Sequence, residues 1–252
     1  MPCLNLLRIV VVVISLPCSF GTQTEAQSPN QDTTDSVHVA RAIFGKWIAE
    51  NLYFFPDSRG RRNLFLRRQP VKAAILPASL QMKDEVSHLI AALSTASGVP
   101  YELTSGDVNL AIVVDTPVNK ADKLNPELWR RVGLSEEMYT IASETGSWAS
   151  GCGTYSFGNK ETGQVGLSIT FADSKLEPAR IRDCVIDGTV RSFGLRSNRK
   201  SVLTADDGFF QFVALAKALT ACEQRIGIDR LVSMNEDEQR SKYSKCASDL
   251  LK

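Results

Sequence analysis

The side chains best able to do chemistry in this chain are its cysteines, and their arrangement points to cross-linking. Cys152, Cys184, Cys222 and Cys246 remain once the apolar N-terminal segment with Cys3 and Cys18 is set aside. An even count in an exported chain favours disulfides. Four cysteines allow three pairings. Cys152–Cys184 and Cys222–Cys246 are favoured, because each closes a moderate local loop. No C-x-x-C spacing occurs, and neither of the two histidines, His38 and His88, lies near a cysteine in sequence, so a zinc site is disfavoured. Ser197-Asn198-Arg199-Lys200 matches S-x-x-K, but the S-D-N and K-T-G partners of that chemistry are absent. Nucleophile-elbow and P-loop patterns are also absent. Asp187 and Arg191 stand four residues apart on a predicted helix, where they can pair.

The elements that would position these residues follow from periodicity. Val39, Ile43, Trp47, Ile48 and Leu52 predict an amphipathic helix over Ser36–Phe55, with that stripe on the core. Val71–Leu76 reads as a strand, Met82–Ser97 as a helix stopped by Gly98-Val99-Pro100, and Tyr101–Thr104 as a short strand. Asn109–Asp115 (NLAIVVD) is a continuous apolar strand, expected to be central and buried on both faces. Short helices are expected over Pro126–Val132 and Ser135–Ser143. Ser150–Phe157 and Gln164–Ala172 predict a hairpin about Gly158-Asn159-Lys160. Helices follow over Pro178–Phe193, Asp207–Cys222 and Ile228–Leu251. Strands and helices mix without strict alternation. The expectation is one α+β (α/β-like) domain: a mixed twisted sheet of four or five strands packed by helices.

The chain has 252 residues, 43% hydrophobic and 23% charged, with 29 Lys+Arg against 28 Asp+Glu. That length buries a sizeable core. The formal charge of +1 disfavours a nucleic-acid-binding role. Ile9–Phe20 is an apolar run shorter than the roughly 20 residues a membrane span needs, and small residues follow it. Residues 1–26 are therefore read as a signal peptide and 27–35 as a disordered linker, with a globular part over 36–252. Cleavage after Ala26 removes Arg8 and Glu25 and leaves the charge at +1. A lipid anchor at Cys18 is disfavoured because Pro17 precedes it. The expected location is periplasmic or secreted, with no stable membrane span after cleavage. Arg59, Arg61, Arg62, Arg67 and Arg68 cluster about one loop, where they could contact an anionic partner such as a membrane surface or an acidic polymer. With Asp57 nearby and a neutral total charge, a solvated loop is favoured; Glu236-Asp237-Glu238 in the last helix also reads as solvated.

Several short stretches together carry a resemblance. They are Leu66-Arg67-Arg68-Gln69-Pro70-Val71 ahead of a strand, the Asn109–Asp115 strand, and Cys184, Asp187, Gly194 and Leu195 in the later helix. From Val39 to Ala221 the chain resembles an uncharacterised family of exported bacterial proteins, the domain-of-unknown-function family twenty-nine twenty-seven. That family is similar to metzincin-type zinc peptidases that have lost their metal ligands, which implies a zincin-like fold. In H-E-x-x-H-x-x-G-x-x-H, two histidines one helical turn apart and a third beyond a glycine bind zinc, and the glutamate is the base. With the glycine set on Gly194, the ligand positions fall at Asp187, Arg191 and Ser197, and the base position at Gly188. A guanidinium offers no lone pair and glycine accepts no proton, so zinc hydrolysis by this route is excluded. The chain also departs from its own family, which tends to carry acids at both Asp187 and Gly188, and Gln at Arg191. The resemblance implies a residual cleft in which Asp187, Arg191 and Ser197 hold a peptide or small polar ligand. The competing reading is a plain surface salt bridge between Asp187 and Arg191. The expected role is a non-catalytic binding protein or envelope component, needing no cofactor and partnered by a peptide or envelope protein. The alternative is a peptidase-like hydrolase with an unidentified site.

Overall fold

A computed structural model describes residues 31–56, 62–76, 79–104, 107–115, 151–159, 161–196 and 208–251. The expected signal peptide, Cys18, Arg59, Arg61, both short helices between 126 and 143, and Ser197 lie outside these residues.

The described residues form α1 (Gln31–Glu50), β1 (Phe54–Pro56), β2 (Arg62–Leu64), β3 (Val71–Leu76) and α2 (Leu80–Ser97). Then come β4 (Tyr101–Leu103), β5 (Leu110–Asp115), β6 (Cys152–Asn159), β7 (Gln164–Asp173) and α3 (Pro178–Arg191). The chain closes with α4 (Gly208–Ile226), α5 (Ile228–Val232) and α6 (Glu236–Leu250). The main sheet has five strands in the order β4-β3-β5-β7-β6, parallel except for β6, which runs antiparallel to β7 along one edge. The fold is thus mixed α+β, as the pattern of periodicities predicts.

The apolar run of β5 lies in the middle of the sheet, and both its faces are buried. Leu110, Ile112 and Val114 join Val71, Ala73 and Ile75 of β3 beneath the helices. Ala111 and Val113 turn to the opposite face with Ala74, Ile169 and Phe171. On the helical side α2 contributes Val86, Leu89, Ile90 and Leu93. Its N-terminus is capped by the Ser79 side chain, which accepts from the Met82 amide, and Gly98 closes it in the left-handed conformation.

Four expectations are revised. First, α1 begins at Gln31, inside the segment read as a linker, and ends at Glu50. Phe54–Pro56 instead pairs with Arg62–Leu64 as a two-stranded ribbon, where the sequence reads as a helix end and a loop. Second, the buried stripe of α1 does not include Val39 and Ile43, which are 57% and 63% exposed. α1 packs on α6 through Gly45, where an added Cβ would lie 2.2 Å from Ser248 Oγ and 2.4 Å from the Ser244 carbonyl. That close approach sets which face turns inward, and a glycine adds nothing to a hydrophobic pattern. Third, the single C-terminal helix expected from Ile228 breaks between α5 and α6. Asn235 accepts from the Glu238 amide while the Glu238 carboxylate accepts from the Asn235 amide, a capping box that starts a new helix. The acidic run therefore lies in the first turn of α6, where the helix dipole favours it, and Glu236 pairs with Arg240 at 2.8 Å. Fourth, the described part of the β6–β7 turn covers residues 161–163, after a register irregularity at Phe157/Gly158.

Both favoured disulfides are present. Cys152–Cys184 ties the edge strand β6 to α3, and Cys222–Cys246 ties α4 to α6. Their sequence separations are 32 and 24 residues. Closing loops of that size stabilises by about 3 kcal/mol per bridge in the chain-entropy account. Replacing either pair by serines is expected to lower the unfolding free energy by about that amount in urea titrations. Non-reduced digests should yield the two cross-linked peptides by mass, and four alkylatable thiols in the native protein would contradict the pairing.

Candidate functional site

The candidate site centres on α3, which packs against β7 and β6. Ile181, Cys184, Val185, Ile186, Asp187, Gly188, Thr189 and Val190 are all buried. The helix comes close to the sheet at Gly188. An added Cβ there would lie 2.1 Å from Thr170 Oγ1, 2.4 Å from Thr170 Cγ2 and 2.6 Å from Thr154 Oγ1. The position that the zinc-peptidase motif would give to a general base therefore faces the sheet, with no room for any side chain.

Beneath α3 the sheet presents hydroxyls in place of apolar groups. Thr154 Oγ1 and Thr170 Oγ1 are 3.2 Å apart, and Ser156 Oγ and Ser168 Oγ are 2.8 Å apart. These cross-strand pairs give the buried Thr170 and Ser168 hydroxyls a partner on half-buried Thr154 and Ser156.

Asp187 and Arg191 come together. Arg191 Nη2 is 2.7 Å from Asp187 Oδ2, with side chains 27% and 7% exposed. The Arg191 guanidinium carbon lies 5.0 Å from the Tyr53 ring centroid, within cation–π range. Tyr53 is brought there by backbone pairing, for its amide donates to the Gly194 carbonyl and the Arg196 amide donates to the Asn51 carbonyl. The pair is thus mostly withdrawn from water and held by an aromatic ring, unlike a surface salt bridge. His38 and His88 are both exposed, on α1 and α2. Among the described residues, no three His, Cys, Asp or Glu side chains gather into a group able to hold a metal ion.

The site that sequence reading missed lies at the start of β3. Arg67 belongs to the arginine cluster read as a solvated loop, yet it is 3% exposed. Its Nε donates to the Ser192 carbonyl at 3.1 Å, and its Nη1 donates to Asn109 Oδ1 at 3.2 Å. Its Nη2 donates to the Asn109 carbonyl at 3.3 Å and to Ser168 Oγ at 3.2 Å. One guanidinium thereby joins the end of α3, the entry to β5 and the hydroxyl strip of β7. Every one of these acceptors is neutral. Burial pulls the guanidinium well below its ordinary value, to about 10, and it stays cationic at neutral pH. No local signal marks this arginine, because its acceptors lie 42, 101 and 125 residues away in sequence.

Arg68 is also withdrawn from solvent and pairs with Glu223 of α4, while its Nη1 donates to the Thr162 carbonyl at 2.5 Å. Tyr243 of α6 is fully buried near this pair. Its phenol is pushed far above the usual range, first by burial and then by the Glu223 charge, with Arg68 acting in the opposite sense. An unfolded phenol ionises near pH 10 whereas this one keeps its proton, so stability is unaffected below that pH and falls as pH rises above it. Alkaline absorbance titration is expected to show one of the five tyrosines ionising only as the protein unfolds.

Arg67, Arg68 and Glu223 line a cavity of about 230 Å³. Leu66, Val99, Phe193 and Leu219 supply its apolar wall. Comparison of the chain with protein-family models, curated proteins and solved structures finds no match.

Proposed function

We propose that the protein is a non-catalytic, exported binding protein of the periplasm or cell exterior, built on a peptidase-like scaffold without zinc ligands. In this reading it belongs with the exported family named above and holds a peptide or an envelope protein near α3. One observation carries the reading: Gly188 abuts Thr170 and Thr154 so closely that no base can stand there. The position offered to the second ligand holds Arg191, already paired with Asp187. Two disulfides accord with an oxidising compartment, and no helix among the described residues is long and apolar enough to cross a membrane.

The test is metal analysis of the purified protein together with a peptidase assay on mixed fluorogenic peptides, with zinc added and with chelator. No chelator-sensitive cleavage is expected, whereas peptides retained on the immobilised protein should cross-link to residues flanking Asp187 and Arg191. Stoichiometric zinc with chelator-sensitive cleavage would overturn the proposal.

A further inference from the structure

We infer that the cavity between the start of β3, the end of α2 and α4 binds a small organic carboxylate with an apolar body. The argument begins with charge. Arg67 is buried, and all its hydrogen bonds go to neutral oxygens of Asn109, Ser168 and Ser192. A buried cation without a counter-charge is costly, because neutral acceptors replace only part of its hydration. The other two charged residues lining the cavity, Arg68 and Glu223, neutralise each other. Among the described residues, Arg67 therefore leaves the cavity with one surplus positive charge.

The C-terminus of α2, which would repel an anion, is muted by its own cap. The Gly98 amide donates to the Thr95 carbonyl at 3.3 Å, and the Val99 amide donates to the Ser94 carbonyl at 2.9 Å. The apolar wall of Leu66, Val99, Phe193 and Leu219 favours a hydrocarbon or aromatic body on the same molecule. The volume, about 230 Å³, is below the roughly 300–1,000 Å³ of sites for drug-sized ligands, so the occupant is small. Neither Asp187 nor Arg191 lines this cavity, which makes the site separate from the α3 surface. The inference does not depend on the proposed function.

The experiment titrates the purified protein with phenylacetate, phenylacetamide and phenethylamine, followed by amide NMR shifts and calorimetry. Saturable phenylacetate binding is expected, with shifts centred on Gly98, Val99 and Thr220. The neutral amide should bind about tenfold or more weakly, the usual cost of losing a charge-assisted contact. Thr220 lines the cavity from α4 and Gln224 stands at its exposed rim. Thr220→Trp and Gln224→Trp are each expected to weaken phenylacetate about tenfold or more while leaving the near-ultraviolet spectrum native. Equal binding of the amide, tighter binding of the amine, shifts centred elsewhere, absence of saturation, or unchanged affinity in both folded Trp variants would overturn the inference. Should a Trp variant fail to fold, the shift map of the unmodified protein decides.

Discussion

Gly188→Glu, the substitution that would restore a general base to the zinc-peptidase pattern, is expected to abolish the native state without creating an enzyme. A bare Cβ at this position already falls 2.1 Å from Thr170 Oγ1. Thr170 is fully buried in β7 and cannot swing into solvent. The helix would have to lift off the sheet, pulling against the Cys152–Cys184 bridge at its side. Even Gly188→Ala is expected to lose about 3 kcal/mol from overpacking, less the roughly 1 kcal/mol that alanine gains in helix propensity. In a Thr170→Ala background the alanine should cost at least about 1 kcal/mol less, since the two residues share one contact. Urea titrations of the four proteins of this cycle measure the coupling. A Gly188→Ala variant as stable as the parent would refute the close approach.

The second large effect is expected at Arg67. Arg67→Ala removes four hydrogen bonds and leaves the Ser192 carbonyl without its donor, while the Asn109 oxygens keep the Lys72 and Ser168 amides. Each stranded buried acceptor costs about 1–3 kcal/mol. The loss is partly offset because an unpaired cation also leaves the interior. The net expectation is a loss of about 2 kcal/mol. Arg67→Lys should recover less than half, because an ammonium cannot span three directions as the planar fork does. Chemical denaturation of both variants provides the check, and an Arg67→Ala loss under about 1 kcal/mol would show that the guanidinium does not join the layers.

Particular residues explain which parts of this molecule were legible beforehand. The central strand was legible because NLAIVVD has no polar face to expose and must be covered on both sides. The disulfides were legible because local loops limit the sensible pairings, and both bridges follow the local choice. The facing of α1 was not, because the contact that orients it is made by Gly45 and two serines of α6. Arg67 was not, because a charged residue in a basic run reads as solvated unless its distant acceptors are known. Asn109 is 42 residues away in sequence and Ser192 is 125 away. The Asp187–Arg191 pairing followed from helical spacing alone, whereas its burial depended on Tyr53, which arrives from an earlier part of the chain.

The order of the cross-links along the chain bears on how the molecule matures. Cys152 joins Cys184, and Cys222 joins Cys246 further along the chain, so the two loops do not overlap in sequence. A polypeptide delivered N-terminus first presents these four thiols in the sequence in which they pair. An oxidant that links each arriving thiol to the free one before it yields native connectivity at once. For a chain exported and processed as proposed above, maturation of these four cysteines calls for a thiol oxidase and no isomerase to reshuffle mispaired sulfurs.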